Sequence, residues 1–208
     1  MKGQRRGRPE RNYGLIHSRP GSRTTRRIRP PVPTPAVTLT PVAEPDFAVL
    51  RELAGTIWRQ HYAAIISLAQ IDYMLAARFG DEDLRGHIQG ADRWLELLRV
   101  SGTPVGYCGC ELAGMDGNGS EVFPAAMKLG QLYVLESHRG MGLGRFMLRH
   151  VEQRARNLGR HVLWLQVNKR NTAAIAFYRA AGFEVVCEAV FDIGGGFVMD
   201  DYVMATQV

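Results

Sequence analysis

The chain has little cysteine and no long apolar run, and each scarcity narrows its class. Only three cysteines occur among 208 residues: Cys108, Cys110 and Cys187. Cys108-Gly109-Cys110 lacks the two-residue spacer of a zinc or redox pair, and no histidine cluster accompanies it. Neither a disulfide framework nor a metal site is expected, and the thiols read as small apolar residues in a reducing compartment. No stretch approaches the roughly 20 apolar residues that span a bilayer. The basic start, MKGQRRGRPERNYG, has no apolar segment behind it, which argues against a secretory signal. The Arg26-Arg27 pair runs into Arg29-Pro30-Pro31, which argues against a twin-arginine signal. A soluble cytoplasmic protein without membrane contact is expected.

Charge is unevenly spread. The formal net charge is +6, but residues 1–30 hold ten Lys and Arg against the single acid Glu10. Residues 31–208 are left with 16 basic and 19 acidic residues, a mildly acidic body. Arg, Pro, Gly, Ser and Thr dominate the chain to about residue 45, where Pro30, Pro31, Pro33, Pro35, Pro41 and Pro45 each lack an amide donor. Such a segment buries too little apolar surface to offset its chain entropy. Residues 1–45 are therefore read as a disordered extension and 46–208 as the folded domain. A tail this basic either touches nucleic acid or an anionic surface weakly through counterion release, or is a solvated extension ahead of a downstream start.

From Phe47 the pattern turns helical. Phe47, Leu50, Leu53, Ala54, Ile57 and Trp58 recur at three- and four-residue spacing, and further helices are expected over 68–79 and 81–89, the last with Asp81 as N-cap. Strands follow at 94–100, 105–112 and 125–134, separated by turns at Ser101–Pro104 and Gly114–Gly119. A long amphipathic helix over 142–158 carries Leu143, Met147, Val151, Ala155 and Leu158 on one stripe. The unbroken apolar run 161–167 reads as a strand buried on both faces, followed by a short helix at 171–181 and strands at 183–191 and 198–205. The expected fold is α/β: a mixed, mostly antiparallel central sheet flanked by helices.

The chemistry concentrates in two stretches. In Leu132-Tyr-Val-Leu-Glu-Ser-His-Arg139-Gly140-Met141-Gly142-Leu143-Gly144-Arg145, a strand ends and a glycine-rich turn opens directly into a helix. Glycine permits positive φ and close approach of a ligand, and the first helical amides have no partner within the helix. With the positive end of the helix dipole, that arrangement suits a phosphate or pyrophosphate. No Gly-Lys-Ser/Thr is present, and Arg145 and Phe146 stand where the dinucleotide fingerprint needs its last glycine. A turn built only for tight packing stays open as the alternative. In the second stretch, Asn171 and Tyr178 lie seven residues apart and so share a helix face, with the small Ala174 between them.

Together the two stretches resemble the GNAT superfamily of N-acetyltransferases. Arg139-x-x-Gly142-x-Gly144 is similar to its acetyl-CoA motif, and Asn171-x-x-Ala174-Ile-x-Phe177-Tyr178-x-x-x-Gly182-Phe183 to its second motif. The resemblance implies that acetyl-CoA, as co-substrate, is held by Leu132, Tyr133 and Val134 on a bulged strand, by Arg139, Gly140, Met141, Gly142, Leu143, Gly144 and Arg145 at the turn, and by Asn171, Ala174 and Tyr178. It implies direct attack of an amine on the thioester, with the Val134 amide polarising the carbonyl and Tyr178 protonating the departing thiolate. An alkylamine with a pKa of about 10.4 is mostly protonated at neutral pH, so a base or water relay is needed as well. Glu136, Glu111 and Glu121 are candidates, none singled out, and His138 reads as a local packing residue.

The acidic body favours a cationic acceptor such as a polyamine, with Asp72, Asp200 and Asp201 as carboxylates near it. A protein α-amine or lysine is the main competitor. A non-catalytic acetyl-CoA-binding module with a nucleic-acid-binding tail is an alternative of another class, and many members of the superfamily are dimers.

Overall fold

Val37 and Leu39 alternate with Thr38 and Thr40, and this short β-branched run forms the first strand, β1 (Val37–Pro41). It lies inside the stretch read from its prolines as irregular, so the ordered chain begins earlier than expected. Pro41 sits at the strand's end, where a missing amide donor is tolerated. The structure is a computed structural model that describes residues 35–113 and 125–208. The Arg-rich extension to residue 34, the Gly114–Gly119 turn and Glu121 lie outside the described residues.

A short 3-10 turn (Glu44–Asp46) leads into three helices, α1 (Phe47–Tyr62), α2 (Leu68–Phe79) and α3 (Asp81–Gln89). The apolar stripe of α1 is buried from Phe47 to Trp58. Helix α2 starts where the Ser67 hydroxyl accepts from the Gln70 amide. The expected cap of α3 is corrected: Gly80 is its N-cap and Asp81 its first residue. The Asp81 carboxylate pairs with Arg51 of α1 instead of capping its own helix.

The sheet follows with β2 (Arg93–Val100), β3 (Thr103–Glu111) and β4 (Ala126–Val134), then α4 (Leu143–Asn157), β5 (Val162–Asn168), α5 (Thr172–Arg179), β6 (Glu184–Gly194) and β7 (Phe197–Gln207). The seven strands lie in the order β1-β2-β3-β4-β5-β7-β6. Every neighbouring pair is antiparallel except β4–β5. This is the mixed, mostly antiparallel sheet flanked by helices that the element order implied. Side-chain alternation divides β2 between two cores: Leu95 and Leu97 pack with α1–α3, whereas Leu98 packs with α4 and α5. Helix α4 buries Leu143, Met147, Leu148, Val151 and Ala155. Leu158, expected on that stripe, is its C-cap, just past the last helical residue, and is exposed.

The parallel pair positions everything that follows. β4 and β5 share only three paired positions, Ala126 with Val162, Met127 with Leu163 and Lys128 with Trp164. Beyond Lys128 the two strands part. Gly130 is an extra residue in β4, between Leu129 opposite Cys110 and Gln131 opposite Gly109. That bulge strengthens the local twist and turns β4 away from β5. Among the described residues no helix is long and apolar enough to cross a membrane.

Candidate active site

The parting of β4 and β5 leaves one edge of β4 without a strand partner. The Leu135 amide donates to Val105 O at 2.8 Å. Antiparallel pairs alternate between hydrogen-bonded and non-bonded, so Val134 opposite Gly106 and Leu132 opposite Cys108 turn their amides away from β3. Both residues line a cavity of about 940 Å³ that runs through the splayed strands.

At one end of the cavity stands the N-terminus of α4. Gly142 is its N-cap, at φ +77° and ψ 1°, and no side chain caps the helix. A Cβ in that left-handed conformation would be strained, which explains glycine at this place. The first amide to find a helical carbonyl is Phe146 N, on Gly142 O at 3.0 Å. The amides of Leu143, Gly144 and Arg145 are left free at the positive end of the dipole. Arg139 has no carboxylate partner among the described residues and lines the same opening. The Arg145 guanidinium is engaged elsewhere, donating to Ala180 O at 2.8 Å, so its amide faces the cavity while its side chain ties α4 to α5.

Helix α5 forms the second wall. Asn171 lies just outside it as N-cap, its Oδ1 accepting from the Ala174 amide at 3.3 Å. Its Nδ2 lies 3.0 Å from His61 Nε2, so only one amide hydrogen remains for a ligand. Ala174, Phe177 and Tyr178 line the cavity beyond it. The Tyr178 ring rests 5.5 Å from that of Phe183. Burial, and secondarily Tyr133, raise the Tyr178 phenol above its ordinary range, so it is neutral at physiological pH.

Opposite α5, Trp58, Tyr62 and Tyr133 line the cavity as an aromatic wall, with the fully buried Tyr107 packed behind it. Trp58 Nε1 donates to Tyr107 Oη at 2.8 Å, and the Tyr62 and Tyr133 hydroxyls are 3.0 Å apart. Burial holds all three phenols in the neutral form.

Of the thirteen residues expected at the cofactor site, all but Met141 line this cavity. Met141 is 54% exposed, its side chain directed out of the turn. Among the glutamates weighed as bases, Glu111 lines the far end, beside Arg93 Nε at 3.6 Å, while Glu136 is exposed and outside the cavity. His138 lines the cavity, with Nδ1 2.9 Å from Ser137 Oγ. The three aspartates expected near an acceptor are separated by the fold. Asp72 pairs with Arg59 at 2.6 Å and Asp200 with Lys169, both away from the cavity. Asp201 alone enters it, and its Oδ1 is buried without a hydrogen-bond partner among the described residues. Burial first, then Asp200, push its carboxyl up to about 6, with Arg78, Asn168 and Lys128 pulling it partly back.

Sequence reasoning missed His61, Arg78 and Lys128, which no local motif marks. The described residues contain no group of three or more His, Cys, Asp or Glu able to hold a metal ion.

Comparison with known proteins agrees with this geometry. A family model described as acetyltransferase (GNAT) family matches residues 53–183. An uncharacterized N-acetyltransferase from Lactobacillus delbrueckii subsp. lactis is 25% identical over 158 residues, 76% of this chain and 90% of its own length. A streptothricin acetyltransferase from Streptomyces lavendulae is 36% identical over 73 residues, 35% of this chain and 39% of its own. Among solved structures, the PaiA N-acetyltransferase of Thermoplasma acidophilum, in complex with coenzyme A, shares the fold. Its TM-score is 0.67 at 20% identity, over 83% of this chain and 99% of that one.

Proposed function

The chain is an N-acetyltransferase of the acetyltransferase (GNAT) family, and we propose that it moves an acetyl group from acetyl-CoA to the primary amine of a small molecule, by direct attack and without a covalent enzyme intermediate. Acetyl-CoA supplies an activated acyl thioester, and the residues of this chain bind it, orient it and move protons. One observation carries the reading: the free amides of Leu143, Gly144 and Arg145 open into the same cavity as the Tyr178 phenol.

In this reading those amides, with Gly140, Gly142 and Arg139, hold the pyrophosphate. The outward-turned edge of Leu132 and Val134 pairs with the pantetheine arm and aims an amide at the oxygen where charge develops. Tyr133, Asn171 and Ala174 shape the channel. The exposed Met141 covers the turn from outside rather than entering it. Two protons leave the attacking ammonium nitrogen. Tyr178 delivers one proton to the sulfur as the C–S bond breaks, and the other reaches bulk water.

The acceptor is read as a small amine because Trp58, Tyr62, Tyr133, Ile193 and Met199 wall that part of the cavity. A protein α-amine or lysine would need a more open groove. The polyamine reading leaned on three carboxylates and keeps only Asp201. The proposal also takes the enzyme as cytoplasmic, as a homodimer, and as touching nucleic acid weakly through its basic extension.

The test is free-thiol release from acetyl-CoA by the purified full chain, against a panel of amino acids, polyamines, aminoglycosides and short peptides. Release that depends on an added small amine is expected. No release with any member of the panel would sink the reading.

A further inference from the structure

The cavity does not stop at the position of the thioester. Past Tyr133 and Asp201 it continues between α2, α3 and the paired ends of β3 and β4, where Arg78, Asp83, His87, Arg93, Glu111 and Lys128 line it. Some of these charges neutralise one another: Arg93 Nε is 3.6 Å from Glu111 Oε2. His87 is held uncharged, chiefly by burial, and its Nε2 is buried without a partner among the described residues.

Arg78 and Lys128 are different. Neither has a carboxylate within ion-pair distance among the described residues. The Lys128 ammonium lies 4.9 Å from the centre of the Trp164 ring, in a half-buried position. Burial lowers its pKa, Glu111 opposite it on β3 raises it, and Arg78 lowers it again, so the two cations repel while Glu111 offsets part of the charge. Asp201 acts on Lys128 in the opposite sense, and it in turn feels both cations. Residues 78, 128 and 201 thus bring two cations and a carboxyl group to the lining of the same cavity. A polyamine there would add positive charge beside the half-buried Lys128 and the exposed Arg78, which Coulomb repulsion disfavours. An anionic group would relieve both cations at once.

We propose that the acceptor is an amino acid or an amino-acid-like primary amine, whose carboxylate is gripped by Arg78 and Lys128 while its amine faces the Asp201 carboxyl group. This rests on the acetyl-transfer reading and deepens it. Asp201 takes one proton from the ammonium and passes it to solvent, the nitrogen lone pair forms the C–N bond as the C–S bond breaks, Tyr178 protonates the departing sulfur, and the second nitrogen proton restores the phenol. Specificity follows from fixed charge: an amine lacking the carboxylate leaves Arg78 and Lys128 unpaired.

The experiment compares L-amino acids with their own decarboxylated amines, and with spermidine, in the thiol-release assay on the full chain. For the preferred amino acid, kcat/KM is expected to exceed that of its decarboxylated amine by about tenfold or more, the scale of a charge-assisted hydrogen bond. Arg78→Met and Lys128→Met should each cut that ratio severalfold, with the KM for acetyl-CoA unchanged. A wild-type preference for spermidine or the decarboxylated amines, or a ratio unmoved in both variants, overturns the proposal. Thermal shift with the same ligands in the absence of acetyl-CoA separates the two readings. Amino acids that raise Tm more than their matched amines support the acceptor site even if no thiol is released, and the absence of such a difference counts against it.

Discussion

The Nε2 of His61 lies 3.0 Å from the Nδ2 of Asn171, and this contact joins the first helix to the cap of α5. Because Asn171 Oδ1 is occupied by the Ala174 amide, its NH2 is the donor and His61 Nε2 the acceptor. The imidazole proton is then on Nδ1, which faces the Arg139 guanidinium at 3.4 Å, donor toward donor. Burial and Arg139 both hold the ring below its ordinary pKa, which keeps it neutral. His61 thus orders Asn171 while leaving Arg139 unsatisfied, as a site for a phosphate requires.

His61→Ala is expected to raise the KM for acetyl-CoA about threefold to tenfold, the range of one hydrogen bond, with little change in kcat. Steady-state kinetics at saturating amine measures it. The His61 pKa is lowered on folding, so its contribution to stability is present above the unfolded value of about 6.5 and is lost as pH falls below it. The wild-type Tm should therefore drop more steeply than that of the variant between pH 7 and 5.5.

Tyr178→Phe should lower kcat at least tenfold and leave acetyl-CoA affinity nearly unchanged. The hydroxyl is the only group removed, and the ring keeps its packing on Phe183. Unchanged turnover would remove Tyr178 from the proton path.

Asp201→Asn is expected to separate stability from activity. The carboxyl of Asp201 is pushed up to about 6 in the fold, so ionising it destabilises the native state. Its pKa is raised on folding, so the cost is absent below an unfolded value of about 3.9 and appears as pH rises through about 6. At pH 7 the variant should be more stable by about 2 kcal/mol, and the gain should vanish near pH 4. Turnover should fall, and the rise of rate with pH through about 6 should disappear. Thermal melts and a pH–rate profile on the same preparations test both halves.

Glu96 supports the fold from the other side of the sheet. It is 5% exposed, and its two oxygens accept from Arg154 at 2.9 and 3.0 Å, with His150 Nε2 at 3.0 and 3.1 Å. Glu96→Ala strands Arg154 beside the sheet and should cost about 3–5 kcal/mol, the range for breaking a buried ion pair. Denaturant melts would show it, while activity per folded molecule should hold.

Features encoded by neighbours along the chain were the legible ones. The α4 turn was readable because Arg139, Gly142 and Gly144 lie within six residues. The Asn171–Tyr178 face was readable because one helix carries it. β1 was not, since four alternating residues were outweighed by the prolines around them. The three-residue limit of β4–β5 pairing was also hidden, because it depends on a bulge at Gly130 that apolar pattern does not encode. Arg78, Lys128 and Asp201 come to one cavity only through the tertiary fold, which sets β7 beside β5. No spacing rule connects residues so far apart.

The uncapped amides at the start of α4 are proposed to hold a diphosphate. Isothermal titration of the full chain with CoA and acetyl-CoA tests it most directly, beside Gly142→Ala, which places a Cβ at φ +77°. One molecule bound per chain is expected, with affinity at least tenfold weaker in the variant, a loss of about 1.4 kcal/mol or more. Absence of heat with either ligand, or equal affinity in Gly142→Ala, would contradict it.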